Sequence, residues 1–100
     1  MPQKNEILSK LKELKPDYEK DGIILLGLFG SYAKDTQTKF SDIDIAYKLD
    51  YEKFSKKYVG GFAKVLKLDD IKAELQTIFK KPIDFIPNSN KAILKDMIYV

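Results

Sequence analysis

The feature that most constrains this 100-residue sequence is an unbroken apolar run at residues 23–29, Ile-Ile-Leu-Leu-Gly-Leu-Phe, which Gly30 and Ser31 end. Its length suits a β-strand buried on both faces. It is far shorter than the roughly 18 apolar residues of a membrane span, and the N-terminus lacks the apolar segment of a signal peptide. The run therefore predicts the central strand of a small globular domain, and we expect no membrane partner and a cytoplasmic protein.

A second strand is predicted at residues 41–47, where carboxylate and apolar side chains alternate. Because successive side chains of a strand point to opposite faces, Asp42 and Asp44 project from one face and Ile43 and Ile45 from the other. Two carboxylates this close raise each other's pKa unless a cation lies between them. The pair therefore predicts a site for a hard, oxygen-bound metal ion such as Mg²⁺.

Apolar residues at helical spacing predict three helices before the last strand. The first contains residues 7–14 and is stopped by Pro16, since proline breaks helix hydrogen bonding. A short surface helix is predicted at residues 50–58, with Gly60 and Gly61 closing it as a turn or cap. A longer helix carries its apolar stripe over residues 68–79 and ends before Pro82.

The C-terminal part of the sequence predicts a short strand and a short helix. Residues 82–87 form an apolar segment bracketed by prolines, with Asp84 directed away from its apolar neighbours. Asp84 is then a third carboxylate on a neighbouring strand. The last helix is predicted to begin at Ser89 or Asn90, which are good capping residues. It contains Ile93, Leu94 and Met97.

Composition limits the chemistry that the chain can perform. Its 18 basic residues are all lysines, and with 15 acidic residues the net charge is +3. Without arginine, basic contacts to phosphate are point charges, and the scattered lysines argue against nucleic acid as a partner. Cysteine and histidine are absent, which excludes zinc sites, disulfides and Cys/His nucleophiles. Carboxylates, hydroxyls, lysines and hard metal ions remain.

Gly30 and Ser31 are candidates for binding phosphate. Glycine lets the backbone approach a ligand closely, and the Ser31 hydroxyl and amide can donate hydrogen bonds. Taken alone, a Gly-Ser pair is usually a turn and an Asp-x-Asp pair is usually a solvated strand face. Together, phosphate contacts beside metal-binding carboxylates indicate phosphoryl or nucleotidyl transfer, in which one ion activates the attacking hydroxyl and a second holds the triphosphate.

The segments Gly30-Ser31-Tyr32-Ala33-Lys34 and Ser41-Asp42-Ile43-Asp44-Ile45 resemble the signature of the polymerase-beta-like nucleotidyltransferase superfamily. Length and layout resemble its minimal nucleotidyltransferase branch, the antitoxin partners of HEPN-domain toxins. The resemblance implies one domain over residues 1–100. It also implies an α/β (α+β) fold, in which a small mixed or antiparallel sheet of three to four strands is flanked by helices.

The same resemblance implies roles for individual residues. Asp42 and Asp44 would bind two Mg²⁺ ions, and Asp84 would be the third metal-site carboxylate, which helps to activate the acceptor. The triphosphate of ATP would be bound by four residues: Gly30, Ser31, Lys34 and Ser41. The implied reaction is transfer of AMP from ATP to a tyrosine of a HEPN-domain toxin, which silences the toxin.

The sequence departs from the superfamily pattern at Lys34 and Asp35, where Arg and Gly are usual. Lys34 keeps the charge without the guanidinium fork, and Asp35 adds negative charge near the expected phosphate site. Two other functions stay open. The chain could transfer nucleotides to a small-molecule hydroxyl, although it shows no acceptor-binding domain, or it could be a catalytically silent module that neutralises a toxin by masking it.

Overall fold

The computed structural model describes residues 2–89 and 96–100. Four helices and four strands follow one another in the order α1 (Lys4–Glu19), β1 (Ile23–Phe29), α2 (Gly30–Lys34), β2 (Ile43–Leu49), α3 (Tyr51–Lys57), α4 (Gly61–Phe79), β3 (Ile83–Pro87) and β4 (Ile98–Tyr99). None of the helices within these described residues is both long and apolar enough to cross a membrane.

The strands form one mixed sheet in the order β3-β2-β1-β4. Strand β1 pairs antiparallel with β2 and with β4, whereas β2 and β3 run parallel. The parallel pair requires a long connection, which α3 and α4 supply. This arrangement confirms the predicted α/β class and the mixed sheet, and it places the first residues of β2 and β3 side by side.

One face of the sheet carries the hydrophobic core. Its strand residues include Leu28, Ile43 and Ile45, all with no exposed surface. Side chains from α1 and α4, such as Leu11 and Leu75, belong to the same buried cluster. Because side chains alternate along a strand, burial of the isoleucines directs Asp44 to the opposite face.

The predicted end of the first helix at Pro16 is wrong, since α1 continues through Pro16 to Glu19. Proline removes one backbone hydrogen bond and crowds the preceding turn. Tyr18 extends the apolar stripe of Leu11 and Leu14 and is 6% exposed, so burial of its ring offsets the loss near the helix end. The prediction used only the low helix propensity of proline, whereas tertiary packing determines where α1 ends.

Other boundaries also differ from the sequence prediction, and β2 covers Ile43–Leu49 rather than residues 41–47. Gly60 and Gly61 begin α4 rather than closing α3, with Gly60 at the N-cap position at φ 88°.

Met97 was predicted to lie in a helix, but it directly precedes strand β4 and is buried. Its position beside Gly27, where an added Cβ would touch the Ile98 carbonyl oxygen, shows why the chain can pair there. The predicted Asn90 cap, Ile93 and Leu94 lie outside the described residues.

Candidate active site

Three carboxylates, those of Asp42, Asp44 and Asp84, lie at the end of the sheet where β2 and β3 begin. We call this end of the sheet the carboxylate edge. Asp44 of β2 is directly paired with Asp84 of β3 in the parallel register. Asp42 precedes Asp44 by two residues, and its charge acts on the Asp44 carboxylate. The sequence predicts that these three residues share a site. The strand pairing brings Asp44 and Asp84 together, and Asp42 is close to Asp44 through their separation of two residues.

The Asp44 carboxyl group is the electrostatic centre of this cluster. Its partial burial, together with the Asp84 carboxylate within hydrogen-bonding range and the charges of Asp84 and Asp42, raises the pKa of Asp44 to about 6. Desolvation is the largest cause, because a half-buried carboxylate has lost part of the water that stabilises its charge. A proton shared with Asp84 or a bound cation would relieve the remaining repulsion. The cluster is therefore suited to positive charge.

Gly30 lies directly against the Asp44 carboxylate. It follows β1 directly, begins the short helix α2, and has φ of 74°. A Cβ atom at this position would contact Asp44 Oδ2, so only glycine permits both this backbone conformation and this approach of the carboxylate. The structure thus explains why glycine stands beside the carboxylate pair.

The residues after Gly30 are held by α2 and by contacts distant in sequence. The Ser31 carbonyl accepts a hydrogen bond from the Thr36 backbone amide at 2.9 Å, which closes the turn after the helix. Lys34 Nζ lies 3.4 Å from Asp96 Oδ2. The predicted phosphate contact therefore has a carboxylate partner from the C-terminal segment, which it must leave to contact a nucleotide.

Asp35, the unusual acidic residue, is directed toward α1. It has φ of 57° at the C-cap of α2, the left-handed conformation for which glycine is usual. Its Oδ2 atom lies 2.7 Å from Lys4 Nζ. The ion pair offsets the negative charge that the sequence analysis expected beside the phosphate site. Lys4 and Asp35 are 31 residues apart, so nothing local in the sequence could have indicated this pairing.

Ser41 holds a tight turn that leads into the carboxylate strand. Its Oγ accepts a hydrogen bond from the Thr38 backbone amide at 2.9 Å, and its own amide donates to the Thr38 carbonyl at 3.0 Å. The Phe40 amide donates to Thr38 Oγ1 at 3.2 Å. These bonds give Ser41 a structural function that the sequence analysis missed, and they leave its hydroxyl hydrogen available to a ligand.

The carboxylates fit a metal ion only with additional ligands. Among residues 2–89 and 96–100, no three acidic side chains stand close enough to enclose an ion. Mg²⁺ rarely uses an all-protein cage and is typically held by one or two carboxylates, water and substrate phosphates. The adjacent pair Asp44 and Asp84, with Asp42 beside them, therefore suits an ion that is bound together with a polyphosphate.

Comparison with known proteins identifies the family of this chain. Residues 4–99 match the family described as the nucleotidyltransferase domain. The chain is 40% identical over 98 residues to one protein of Methanocaldococcus jannaschii and 36% identical over 103 residues to another. Each alignment covers 95% of this chain and 92% of the relative, and both relatives carry the name "putative protein adenylyltransferase".

A solved structure described as a toxin-antitoxin with AMP-PNP has the same fold. The two share 24% sequence identity with a TM-score of 0.52 over 89% of this chain, which spans 60% of the other chain's length. The family match and the curated relatives define the class of protein. The chain belongs to the nucleotidyltransferase domain family, and its enzyme class is that of a nucleotidyltransferase.

Proposed function

We propose that this nucleotidyltransferase is a Mg²⁺-dependent protein adenylyltransferase, which transfers AMP from ATP to a tyrosine hydroxyl of a HEPN-domain toxin and so acts as its antitoxin. Two relatives carry the protein adenylyltransferase name, and a structural neighbour is a toxin-antitoxin bound to AMP-PNP. The observation that carries the proposal is the pairing of Asp44 with Asp84 across β2 and β3, where Gly30 lies against Asp44 and the charge of Asp42 acts on it.

The nucleotide would bind at the carboxylate edge of the sheet. Asp42 and Asp44 would hold two metal ions, and the Gly30 and Ser31 backbone would lie against the triphosphate. The remaining phosphate contacts come from the predicted residues Lys34 and Ser41. The chemistry that Mg²⁺ would supply when bound is neutralisation of phosphate charge and a lower pKa of the acceptor hydroxyl. Lys34 exchanges Asp96 for phosphate, which is a small change because an exposed ion pair contributes little free energy.

The reaction is a displacement at the α-phosphorus of ATP. The tyrosine oxygen forms a bond to that phosphorus, the bond to the bridging oxygen of the β-phosphate breaks, and pyrophosphate leaves. Asp84 accepts the proton of the hydroxyl. Asp84 is exposed at the start of β3, where an acceptor from another protein can reach it. Asp44 is half-buried and is placed to hold charge rather than to meet the acceptor.

The proposal treats residues 1–100 as one nucleotidyltransferase domain whose acceptor is supplied by the partner. The sheet and its helices share a single hydrophobic core, and the three carboxylates lie where β2 and β3 of that sheet begin. A partner protein therefore has to present its tyrosine at the sheet edge, beside Asp84.

The first test is thermal melting with Mg²⁺-ATP, in which wild type is compared with Asp42→Asn/Asp44→Asn. Ligand at about a hundred times its dissociation constant stabilises a fold by roughly 2.7 kcal/mol, a rise of several degrees for a domain of this size. We expect this rise in melting temperature in the wild type and not in the double variant. Lys53→Gln, which changes an exposed lysine on α3, serves as a control that should keep it.

The second test measures transfer of α-phosphate-labelled ATP to a co-expressed HEPN-domain toxin. We expect Asp44→Asn to lower transfer at least a hundredfold, as expected when charge stabilisation in the transition state is removed, and to abolish neutralisation. A variant without transfer that still neutralises the toxin fully would contradict the enzymatic proposal and favour masking. Replacing the toxin tyrosines by phenylalanine identifies the acceptor.

A further inference from the structure

A basic cleft lies beside the carboxylate edge, and its lining includes none of the proposed nucleotide contacts. It encloses about 420 Å³ and is lined by Pro2, Glu6, Lys39, Phe79, Lys80 and Lys81. The lining comes from the N-terminal part of α1, the end of α4 and the loop before β2. Three of its six residues are lysines, and Glu6 is its one acidic residue.

The cleft is close to the proposed reaction centre because two of its lysines precede the carboxylate strands. Lys39 stands three residues before Asp42, and Lys81 three residues before Asp84, a separation of at most about 10 Å along the chain. Lys81 Nζ donates to the Lys39 carbonyl at 3.0 Å. The parallel register of β2 and β3 puts both approaches at one edge.

The three lysines carry charge that the chain does not neutralise. Seven lysines elsewhere lie within 4.0 Å of a carboxylate, but in the described part of the chain Lys39, Lys80 and Lys81 do not. Two of the ammonium groups lie over aromatic rings, Lys39 over Phe40 at 5.1 Å and Lys81 over Tyr32 at 5.8 Å. The cleft is therefore a concentrated positive site on a chain whose net charge is only +3.

Phe40 adds an apolar contact next to this charge. Its side chain is 82% exposed, although it lies in the turn that the Thr38 and Ser41 hydrogen bonds hold in place. Leaving an aromatic ring in water forgoes the free energy of burial. The ring stands two residues before Asp42, so a molecule that approaches the carboxylates from this side can cover it.

We propose that this cleft is a docking site for the acceptor protein, which binds through an acidic segment near its modified hydroxyl while Phe40 packs against an apolar side chain of that segment. The inference rests on the proposed function and adds the chemistry of its substrate. Positive charge facing an acidic segment steers encounter and sets orientation. The cleft lies on the helix side of the edge, because Glu6 and Phe79 belong to α1 and α4.

The nucleotide does not suit the same cleft. The proposed phosphate contacts at Gly30 lie against Asp44. The Asp44 side chain faces away from α1 and α4, because Ile43 and Ile45 on either side of it are buried in the core with those helices. A triphosphate held there leaves the three lysines unused. An acidic peptide can occupy the cleft at the same time, which an acceptor complex requires.

The test uses fluorescence anisotropy with a short labelled peptide in which one tyrosine is flanked by glutamates. Wild-type protein is compared with Lys39→Gln/Lys80→Gln/Lys81→Gln and with a control of equal charge, Lys12→Gln/Lys53→Gln/Lys56→Gln. We expect the cleft variant to weaken binding about tenfold, the combined effect of three exposed ion pairs. The control should change binding less than about twofold, and Phe40→Ala should weaken it by an intermediate amount.

Other probes and a second readout separate the explanations. A peptide with lysines in place of the glutamates should not bind. Equal weakening by both triple variants would overturn the proposal, as would absence of binding to wild type or equally tight, cleft-dependent binding of a thymidine oligonucleotide. Melting with Mg²⁺-ATP should be the same in the cleft variant as in wild type. If the cleft variant lost the rise in melting temperature caused by Mg²⁺-ATP, the lysines would bind the nucleotide rather than the acceptor. If the proposed function itself were wrong, the wild type would show no such rise.

Discussion

The two faces of strand β2 serve opposite purposes. On one face, Ile43 and Ile45 are completely buried and join the core formed with α1 and α4. On the other, Asp44 lies beside Asp84 and its pKa is raised to about 6, so its charge disfavours the folded state in the absence of a cation. The same seven-residue strand therefore stabilises the fold with one face and concentrates negative charge for chemistry with the other.

The largest effect on folding should come from the core face. We expect Ile45→Ala to lower the free energy of unfolding by about 3 kcal/mol, because it removes buried surface and leaves a cavity, with a fall in melting temperature of more than about ten degrees. Ile24 is half-buried on the opposite face of β1. Ile24→Ala should lower the free energy of unfolding by about a third as much. Equal losses in denaturant titrations would contradict the division between the two faces.

A smaller loss of stability, with a large loss of binding, is expected where the carboxylate face meets Gly30. We expect Gly30→Ala to lower stability by about 1 kcal/mol or more, because alanine is strained at its positive φ, and to displace Asp44. Gly60→Ala is the matched control, since Gly60 also has positive φ but no atom within 4 Å of an added Cβ. Both should lower the melting temperature, and only Gly30→Ala should abolish stabilisation by Mg²⁺-ATP.

An effect of opposite sign is expected at Asp44 itself in metal-free buffer. The folded pKa of about 6 lies above the ordinary 3.8, so the folded state binds more protons between these values. The contribution of Asp44 to stability therefore falls as pH rises from about 4 to about 6. Asp44→Asn should stabilise the protein at pH 7 by no more than about 1 kcal/mol, since solvent screens a half-buried group.

Melting curves across pH in the presence of EDTA test this prediction. The difference between Asp44→Asn and wild type should shrink as pH falls from about 6 and vanish below about pH 3, where the aspartic acid is neutral in both folded and unfolded chains. A variant that is less stable than wild type at pH 7 would show that Asp44 contributes packing or hydrogen bonds that outweigh its charge.

The smallest effect is expected at Asp35. Asp35→Gly relieves the left-handed backbone conformation, which favours folding, but removes the ion pair with Lys4. We expect the two to offset each other to within about 0.5 kcal/mol. Affinity for Mg²⁺-ATP, measured by calorimetry, should change less than about twofold, because Lys4 already neutralises this carboxylate. A large gain in affinity would show that Asp35 acts on the nucleotide.

Local pattern alone was enough to predict most of the secondary structure. The apolar run of β1, the alternation around Asp42 and Asp44 and the stripe of α4 each follow from the periodicity of a single element. Boundaries were less predictable. Pro16 remains inside α1 because Tyr18 is buried, which depends on contacts that no local window contains. Gly60 stands at the start of α4 rather than at the end of α3.

What the sequence determined by itself was the chemistry available: paired carboxylates after a Gly-Ser turn, in a chain without cysteine, histidine or arginine. Only the tertiary structure decided which groups meet. Asp84 joins Asp44 because β2 and β3 pair in parallel register, Asp35 is neutralised by Lys4 from α1, and Lys39 and Lys81 share one cleft. Composition and periodicity are local properties, whereas these pairings depend on how distant segments pack against a common core.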